Sequence, residues 1–240
     1  MKSDLTKLQR ILGYQFSDLQ LLKEAVMHRS FASENNLNFD NQRLEFLGDS
    51  VMQIILSEFV FKKYPDFAEG MMTKVRSAMA DQSSFARLAR QLELGEFIML
   101  GKGEIECGGA NRDSTLSDAF ESVIAAIFLD SNLEKTREIA MQLINDVYPD
   151  PVALLSTNNP KGALQEYCQQ HFGKSPHYTT LSISGEDHDP VFTVQVEIGD
   201  VVLATSSARK RKIAEGAAAN EALTLIREGK IEGLKEKGQL

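Results

Sequence analysis

Two stretches constrain this chain more than any other feature, because each is apolar except for a pair of acids. In Asn41-Gln-Arg-Leu-Glu-Phe-Leu-Gly-Asp-Ser50 the acids are Glu45 and Asp49. In Ser114-Thr-Leu-Ser-Asp-Ala-Phe-Glu-Ser-Val-Ile-Ala-Ala-Ile-Phe128 they are Asp118 and Glu121. Spacings of four and three place each pair on one face of a helix. The neighbours Leu44, Phe46, Leu47, Val51, Ile54, Ile55 and Leu56 predict a packed core around the first pair. Like charges beside an apolar core are costly unless something neutralises them. If the two helices pack together, four carboxylates converge. An all-oxygen donor set without His or Cys favours Mg²⁺ or Mn²⁺ over zinc, and such a site suits phosphoryl chemistry. The alternative is that each pair is simply a solvated face. Spacing alone leaves both readings open.

Composition bears on what else the chain can be. It has 240 residues, enough for one large domain or two modest ones, and 42% are hydrophobic, enough for real cores. Net charge is −8, an unexpected balance for a nucleic-acid binder. The charge is unevenly spread. Residues 1–150 hold 16 Lys/Arg against 23 Asp/Glu, and residues 151–240 hold 10 against 11. The second part also gathers four cations at Arg209-Lys-Arg-Lys212, and local patches rather than net charge decide phosphate binding. Cys107 and Cys168 are far apart and in no ligand spacing, which predicts reduced thiols in a cytoplasmic protein. The N-terminus carries charges where a signal peptide needs an apolar run. The longest apolar stretch, Val51 to Phe61, is broken by Gln53, Ser57 and Glu58 and is too short for a bilayer.

Periodicity predicts an all-helical first part. Leu5, Leu8, Ile11 and Leu12 give a short amphipathic helix, and Ser17 with Gln20 fits a capping box for the next. His28-Arg-Ser30 closes that segment, with His28 in a structural role, and Glu34 to Asn41 reads as a loop. The first acidic helix runs from about Gln42 to Tyr64 and is stopped by Pro65. Further helices are expected from Glu69 through Met79 and from Gln82 to Leu92. Lys74 and Arg76 on the former face either phosphates or solvent. Gly95, Gly101, Gly103, Gly108 and Gly109 mark a flexible, turn-rich connection without a phosphate-loop pattern. The second acidic helix follows, then a last one over Leu133 to Tyr148.

Pro149 to Asn159 reads as a linker, and Asn159-Pro160 as a helix start extending to about Phe172. Tyr178 to Ser184 and Phe192 to Ile198 alternate as strands. Gly199-Asp200 turns into a third, Val201 to about Ser206. A final helix spans about Lys212 to Arg227, with Ala214, Ala217, Ala218 and Ala222 allowing close packing on the sheet. The order is αβββα, followed by a charged tail from Gly229.

Arg43-Leu-Glu-Phe-Leu-Gly-Asp49 resembles the signature of the ribonuclease III family, and Asp118-Ala-Phe-Glu121 resembles its second acidic motif. The C-terminal third resembles that family's double-stranded-RNA-binding domain, so the likeness covers nearly the whole chain. It implies an all-α endonuclease domain over residues 1–149, a linker at 150–159, an α+β (αβββα) RNA-binding domain at 160–228 and a tail at 229–240. It implies that Glu45, Asp49, Asp118 and Glu121 form the catalytic cluster. Glu121 is then a direct metal ligand with Glu45 and Asp49 beside it, and Asp118 coordinates the metal or orients its water. The implied reaction is hydrolysis of double-stranded RNA with Mg²⁺, or Mn²⁺ in its place, leaving 5′-phosphate and 3′-hydroxyl ends. A homodimer would supply the two sites that cutting both strands requires, with the Phe46 region in the interface. The implied substrates are ribosomal precursor and messenger RNA hairpins.

For RNA, the resemblance assigns Gln165 and Glu166 to one minor groove, His188 to a second, and Arg211 with Lys212, joined by Lys210, to phosphate. Two departures stand out. Gln42 occupies a position where the family commonly has Glu, while Glu69 matches a further family acid. Ala208 and Lys210 replace the usual Gly and Ser, so a preferred N-cap is missing and a charge is gained. The competing class is a non-cleaving double-stranded-RNA-binding regulator, for which Gln42 speaks. A hydrolase of small phosphate esters leaves residues 160–228 unexplained.

Overall fold

A computed structural model describes residues 5–185 and 189–231, and the chain divides into two compact units at Pro151/Val152. The regular elements described in the first unit are all helices: α1 (Leu5–Leu12), α2 (Leu19–Ala25), α3 (Arg29–Glu34), α4 (Gln42–Lys63), α5 (Glu69–Met79), α6 (Gln82–Gln91), α7 (Lys102–Glu106), α8 (Asp113–Asp130) and α9 (Leu133–Val147). Two single 3₁₀ turns, Leu94–Glu96 and Gly109–Asn111, complete it.

The unit is built around α8. This helix is apolar almost all round, as expected of one enclosed by others. Leu116, Ala119, Phe120, Val123, Ile124, Ala126 and Ile127 are all buried. The helices α2, α4, α6 and α9 pack against it. On α4 the buried face is Leu44, Gly48, Val51, Met52, Ile55 and Leu56. Phe46 and Ile54, expected in that core, instead lie on the outer face, 78% and 55% exposed. A helix turns 100° per residue, so positions two before Gly48 and one before Ile55 cannot share the buried stripe.

Several boundaries differ from the sequence reading for local reasons. The N-cap of α2 is Asp18, whose Oδ1 accepts the Gln20 amide at 2.9 Å, and not Ser17. The Ser17 and Asp18 amides are held by the Asp130 carboxylate at 2.9 and 2.7 Å. The His28-Arg-Ser30 segment opens α3 rather than closing α2. The glycine-bearing connection contains α7, whose first amide, Lys102 N, donates to Glu34 Oε1 at 2.9 Å. The stretch read as a linker contains a short helix, α10 (Ala153–Asn158).

The second unit continues with α11 (Pro160–Phe172), strands β1 (His177–Ser184), β2 (Val191–Ile198) and β3 (Val201–Ala208), and α12 (Arg211–Arg227). Asn159 caps α11 by accepting the Gly162 amide at 3.1 Å, with Pro160 in the first turn. The sheet is antiparallel in the order β1-β2-β3. Its register slips between Thr180 and Ser182, which leaves Leu181 as the extra residue of a bulge. Gly199, at φ +59°, makes the β2–β3 turn. Leu164 and Cys168 of α11, Val196, Ile198, Leu203 and Ala204 of the sheet, and Ala218, Ala219, Ala222 and Leu223 of α12 form the core. Ala217, expected to pack on the sheet, faces away, because that stripe lies on the opposite side of the helix. Among the described residues no helix is long and apolar enough to cross a membrane.

Candidate active site and nucleic-acid interface

The closest approach of α4 to α8 sets the geometry of the acids. Gly48 lies between Glu45 and Asp49 and faces the α8 backbone. A Cβ built on it would fall 1.9 Å from the Glu121 carbonyl oxygen and 2.5 Å from its carbonyl carbon. Only glycine permits that approach, although glycine inside a helix costs about 1 kcal/mol relative to alanine. Ser122, the next residue on α8, is fully buried. Its hydroxyl lies 3.1 Å from Asn41 O and 2.7 Å from Asp118 O, tying α8 to the start of α4. Sequence reasoning passed over both residues. The visible signal for Gly48 was a helix-weakening residue placed between two acids in the middle of one helical pattern.

The result is a cluster in which carboxylate oxygens of Glu45, Asp118 and Glu121 all lie within 4.8 Å of one another. Burial pushes the Glu121 carboxyl up to about 8, with the charges of Asp49, Asp118 and Glu45 adding to the shift. Glu45 is raised by burial, then by Asp118 and Asp40. Asp118 is raised chiefly by burial. Asp49 stands outside the close trio. It is exposed, and its Oδ1 accepts the Gln53 side chain at 3.3 Å, but its charge reaches Glu121. A half-buried trio of carboxylates is unfavourable when fully ionised, and a hard divalent cation is the group that relieves it. The donor set therefore fits such a cation.

A cleft of about 360 Å³ opens beside the trio, lined in part by His28, Arg29, Gln42, Glu45 and Asp118. Gln42 is thus near the cluster, exposed at the first turn of α4. Glu69 is elsewhere. It accepts the Thr73 hydroxyl at 3.0 Å and lines a separate cleft with Ser57, Phe61 and Arg76. Ser57 lies three turns beyond Glu45, roughly 18 Å along α4. Within one chain the structure does not bring Glu69 to the cluster. Arg76 donates to Ser57 Oγ at 3.2 Å in that second cleft.

In the second unit Gln165 and Glu166 are exposed on α11. His188 lies outside the described residues. At the other helix, Lys210 is the N-cap of α12 and makes no side-chain cap bond. The nearby hydroxyls do not substitute for one. Ser206 donates to Glu221 at 2.8 Å, and Ser207 pairs with Thr193 at 2.9 Å. The Ile213 and Ala214 amides both donate to Lys210 O at 3.0 Å, and no side chain caps the Arg211 and Lys212 amides beside the exposed Lys210 and Lys212, an arrangement that favours an anion. Arg211 is engaged more closely than expected. Its Nε contacts Glu215 at 2.9 Å, and Glu215 also accepts Lys161 at 2.6 Å. Those two cations hold the Glu215 carboxyl below its ordinary value, Lys161 most strongly. Lys161 in turn lies over the Tyr178 ring, 4.6 Å from its centre.

An all-helical unit with an acidic cluster on two packed helices, followed by an αβββα unit with a basic helix start, is the architecture expected of a double-stranded-RNA-binding endoribonuclease. Comparison with known proteins agrees. Residues 18–147 match the Ribonuclease-III-like family, and residues 160–226 match the Double-stranded RNA binding motif. The chain belongs to the ribonuclease III family. It is 39% identical to Ribonuclease 3 of a Nitratiruptor species, over 93% of this chain and 97% of that protein. It is 41% identical to Ribonuclease 3 of Campylobacter curvus, over 92% and 97%. A crystal structure of the nuclease domain of Ribonuclease III from Campylobacter jejuni shares 40% identity and a TM-score of 0.58, covering 62% of this chain and 99% of that one. A second structure of that domain is described as showing structural flexibility in a region involved in dimer formation.

Proposed function

We propose that this chain hydrolyses double-stranded RNA with Mg²⁺, for which Mn²⁺ can substitute, in processing ribosomal precursor and messenger RNA hairpins in the cytoplasm. The observation that carries the reading is the meeting of Glu45, Asp118 and Glu121 beside Asp49, at the point where Gly48 lets α4 and α8 touch. Glu45, Asp118 and Glu121 would hold the ion, and Asp49 would orient water next to it. Bound there, such an ion would supply activation of water and stabilisation of the charge developing on the phosphodiester. Water oxygen bonds to phosphorus as the bond to the 3′-oxygen breaks, leaving 5′-phosphate and 3′-hydroxyl ends. Gln42 at the cleft carries no charge, so it serves as a hydrogen-bonding group and not as an anionic ligand. Glu69 is a candidate for an extended site.

In this reading residues 1–149 are the nuclease domain and residues 160–228 the RNA-binding domain. Gln165, Glu166 and His188 would meet minor grooves. Lys210, Lys212 and the α12 amides would take phosphate, with Arg211 joining them once it leaves Glu215. Two subunits would pair to cut both strands. The exposed apolar Phe46, with Leu129 at 51% exposure nearby across one cleft, supports a self-association surface at this place. The non-cleaving alternative rests on Gln42 alone, and the retained four acids weigh against it.

The test is an end-labelled perfect RNA duplex incubated with Mg²⁺ and either the parent or Glu121→Gln. Cutting by the parent, none by the variant and binding by both are expected. Binding without cutting by the parent in both Mg²⁺ and Mn²⁺ would refute the nuclease reading.

A further inference from the structure

His28 has two ring nitrogens with different surroundings. On one side, a directed chain of hydrogen bonds ends at Nδ1. The Gly101 amide donates to Ser30 Oγ at 2.9 Å, and Ser30 Oγ lies 2.8 Å from His28 Nδ1. The Ser30 amide also donates to Nδ1, at 3.2 Å, which makes His28 the N-cap of α3. An amide can only donate, so Nδ1 accepts, and the ring proton is held on Nε2. Main-chain bonds hold the segment that carries the ring: His28 N donates to Met99 O at 3.1 Å, and Asn41 N donates to Met27 O at 2.9 Å. Gly101 is held close as well, since a Cβ there would fall 3.0 Å from Ser30 O. The imidazole is only half-buried, and it lines the cleft that Glu45 and Asp118 also line. A cap alone does not require a histidine, because Ser, Thr, Asp and Asn cap better.

We propose that His28 is a substrate-contacting residue, whose Nε2–H donates to a backbone oxygen of the RNA strand cut at the adjacent acids. The inference rests on the nuclease reading. A cleft beside carboxylates needs neutral or positive donors to receive a polyanion, and His28 and Arg29 are among its lining, while the third acid there, Glu104, is paired with Arg112 at 2.8 Å. Ser30 and Gly101 position the ring and do not themselves touch RNA.

The two nitrogens can be separated by His28→Asn. Asparagine keeps a cap acceptor for the Ser30 amide but loses the donor that reaches the cleft. The measurements are melting temperature, duplex binding without divalent cation, and single-turnover cleavage with Mg²⁺. An unchanged melting temperature, binding within twofold and cleavage slowed at least tenfold are expected. Cleavage at the parental rate would overturn the inference while leaving the nuclease reading intact, whereas a parent that does not cut would sink that reading first. Should His28→Asn fold poorly, ring-nitrogen NMR of Glu121→Gln with its native His28 decides. Nδ1 should resonate as an unprotonated acceptor, and added duplex should move the Nε2–H signal. A ring unmoved by saturating duplex would overturn the inference.

Discussion

The two units of this chain handle charge in opposite ways. The helical unit places like charges together, half-buried, on the helices that form its core. Its site is therefore under electrostatic tension, visible in the Glu121 carboxyl held near 8. The αβββα unit keeps its core apolar and its charges at the rim. Lys210 and Lys212 stand in water at a helix start without a side-chain cap, and Glu215 in the next turn is satisfied by two cations. Catalysis needs groups whose discomfort a bound ion relieves, while duplex recognition needs reach and shape. The first kind of site is inseparable from folding, and the second is added to a fold that would stand without it.

The strongest way to break this contrast is at the point of helix contact. Gly48→Ala should cost several kcal/mol and abolish cleavage, because a Cβ has no room against the Glu121 backbone. The same change at an ordinary exposed helix position would stabilise by about 1 kcal/mol. Chemical denaturation with and without Mg²⁺ measures it, and a neutral result would mean that the helices are farther apart. Glu121→Gln should separate stability from activity. It removes a carboxyl that must take up a proton or bear a buried charge on folding, so the metal-free protein at neutral pH should melt higher while cleavage is lost, as calorimetry and gel assays would read.

The pH dependence sharpens the comparison. The folded-state pKa of Glu121, about 8, lies above its ordinary 4.5. Between these values the folded protein binds more protons than the unfolded one, so stability falls as pH rises. The metal-free nuclease unit should thus be less stable at pH 8 than at pH 5, by an amount on the order of a few kcal/mol. Mg²⁺ or Glu121→Gln should flatten the slope. Glu215 in the other unit has the opposite sign. Its pKa is lowered, so its contribution is present above 4.5 and lost as pH falls below that value. The smallest effect is expected from Lys210→Ser. A serine cap should stabilise α12 by about 1 kcal/mol, while the lost cation should lower the salt slope of duplex binding by about 1.

Much of this was legible in sequence where local chemistry decides. Pro65 ends α4, Asn159-Pro160 starts α11, and alternation marks β2. The missing cap at the start of α12 was also readable, from Lys210 standing in the place of serine. The two acid pairs were readable, and so was the chance that they meet. What escaped depends on distant partners. The start of α7 is satisfied by Glu34, 68 residues earlier, and no pattern within residues 102–106 announces that. The outward turn of Phe46 and Ala217 follows from small angular offsets within helices whose other positions were read correctly. Glu69 was expected near the acids by likeness alone, and the chain by itself does not bring it there. His28 looked structural, and its ring nitrogen Nδ1 caps α3.

The absent side chain at Gly48 has a consequence for how this enzyme can vary. Every other amino acid carries the atom that the contact excludes, so the position admits a single state and records no history. Phe46, two residues away and facing outward, admits many. Drift can therefore redraw the surface around the site freely while the spacing of its carboxylates stays locked.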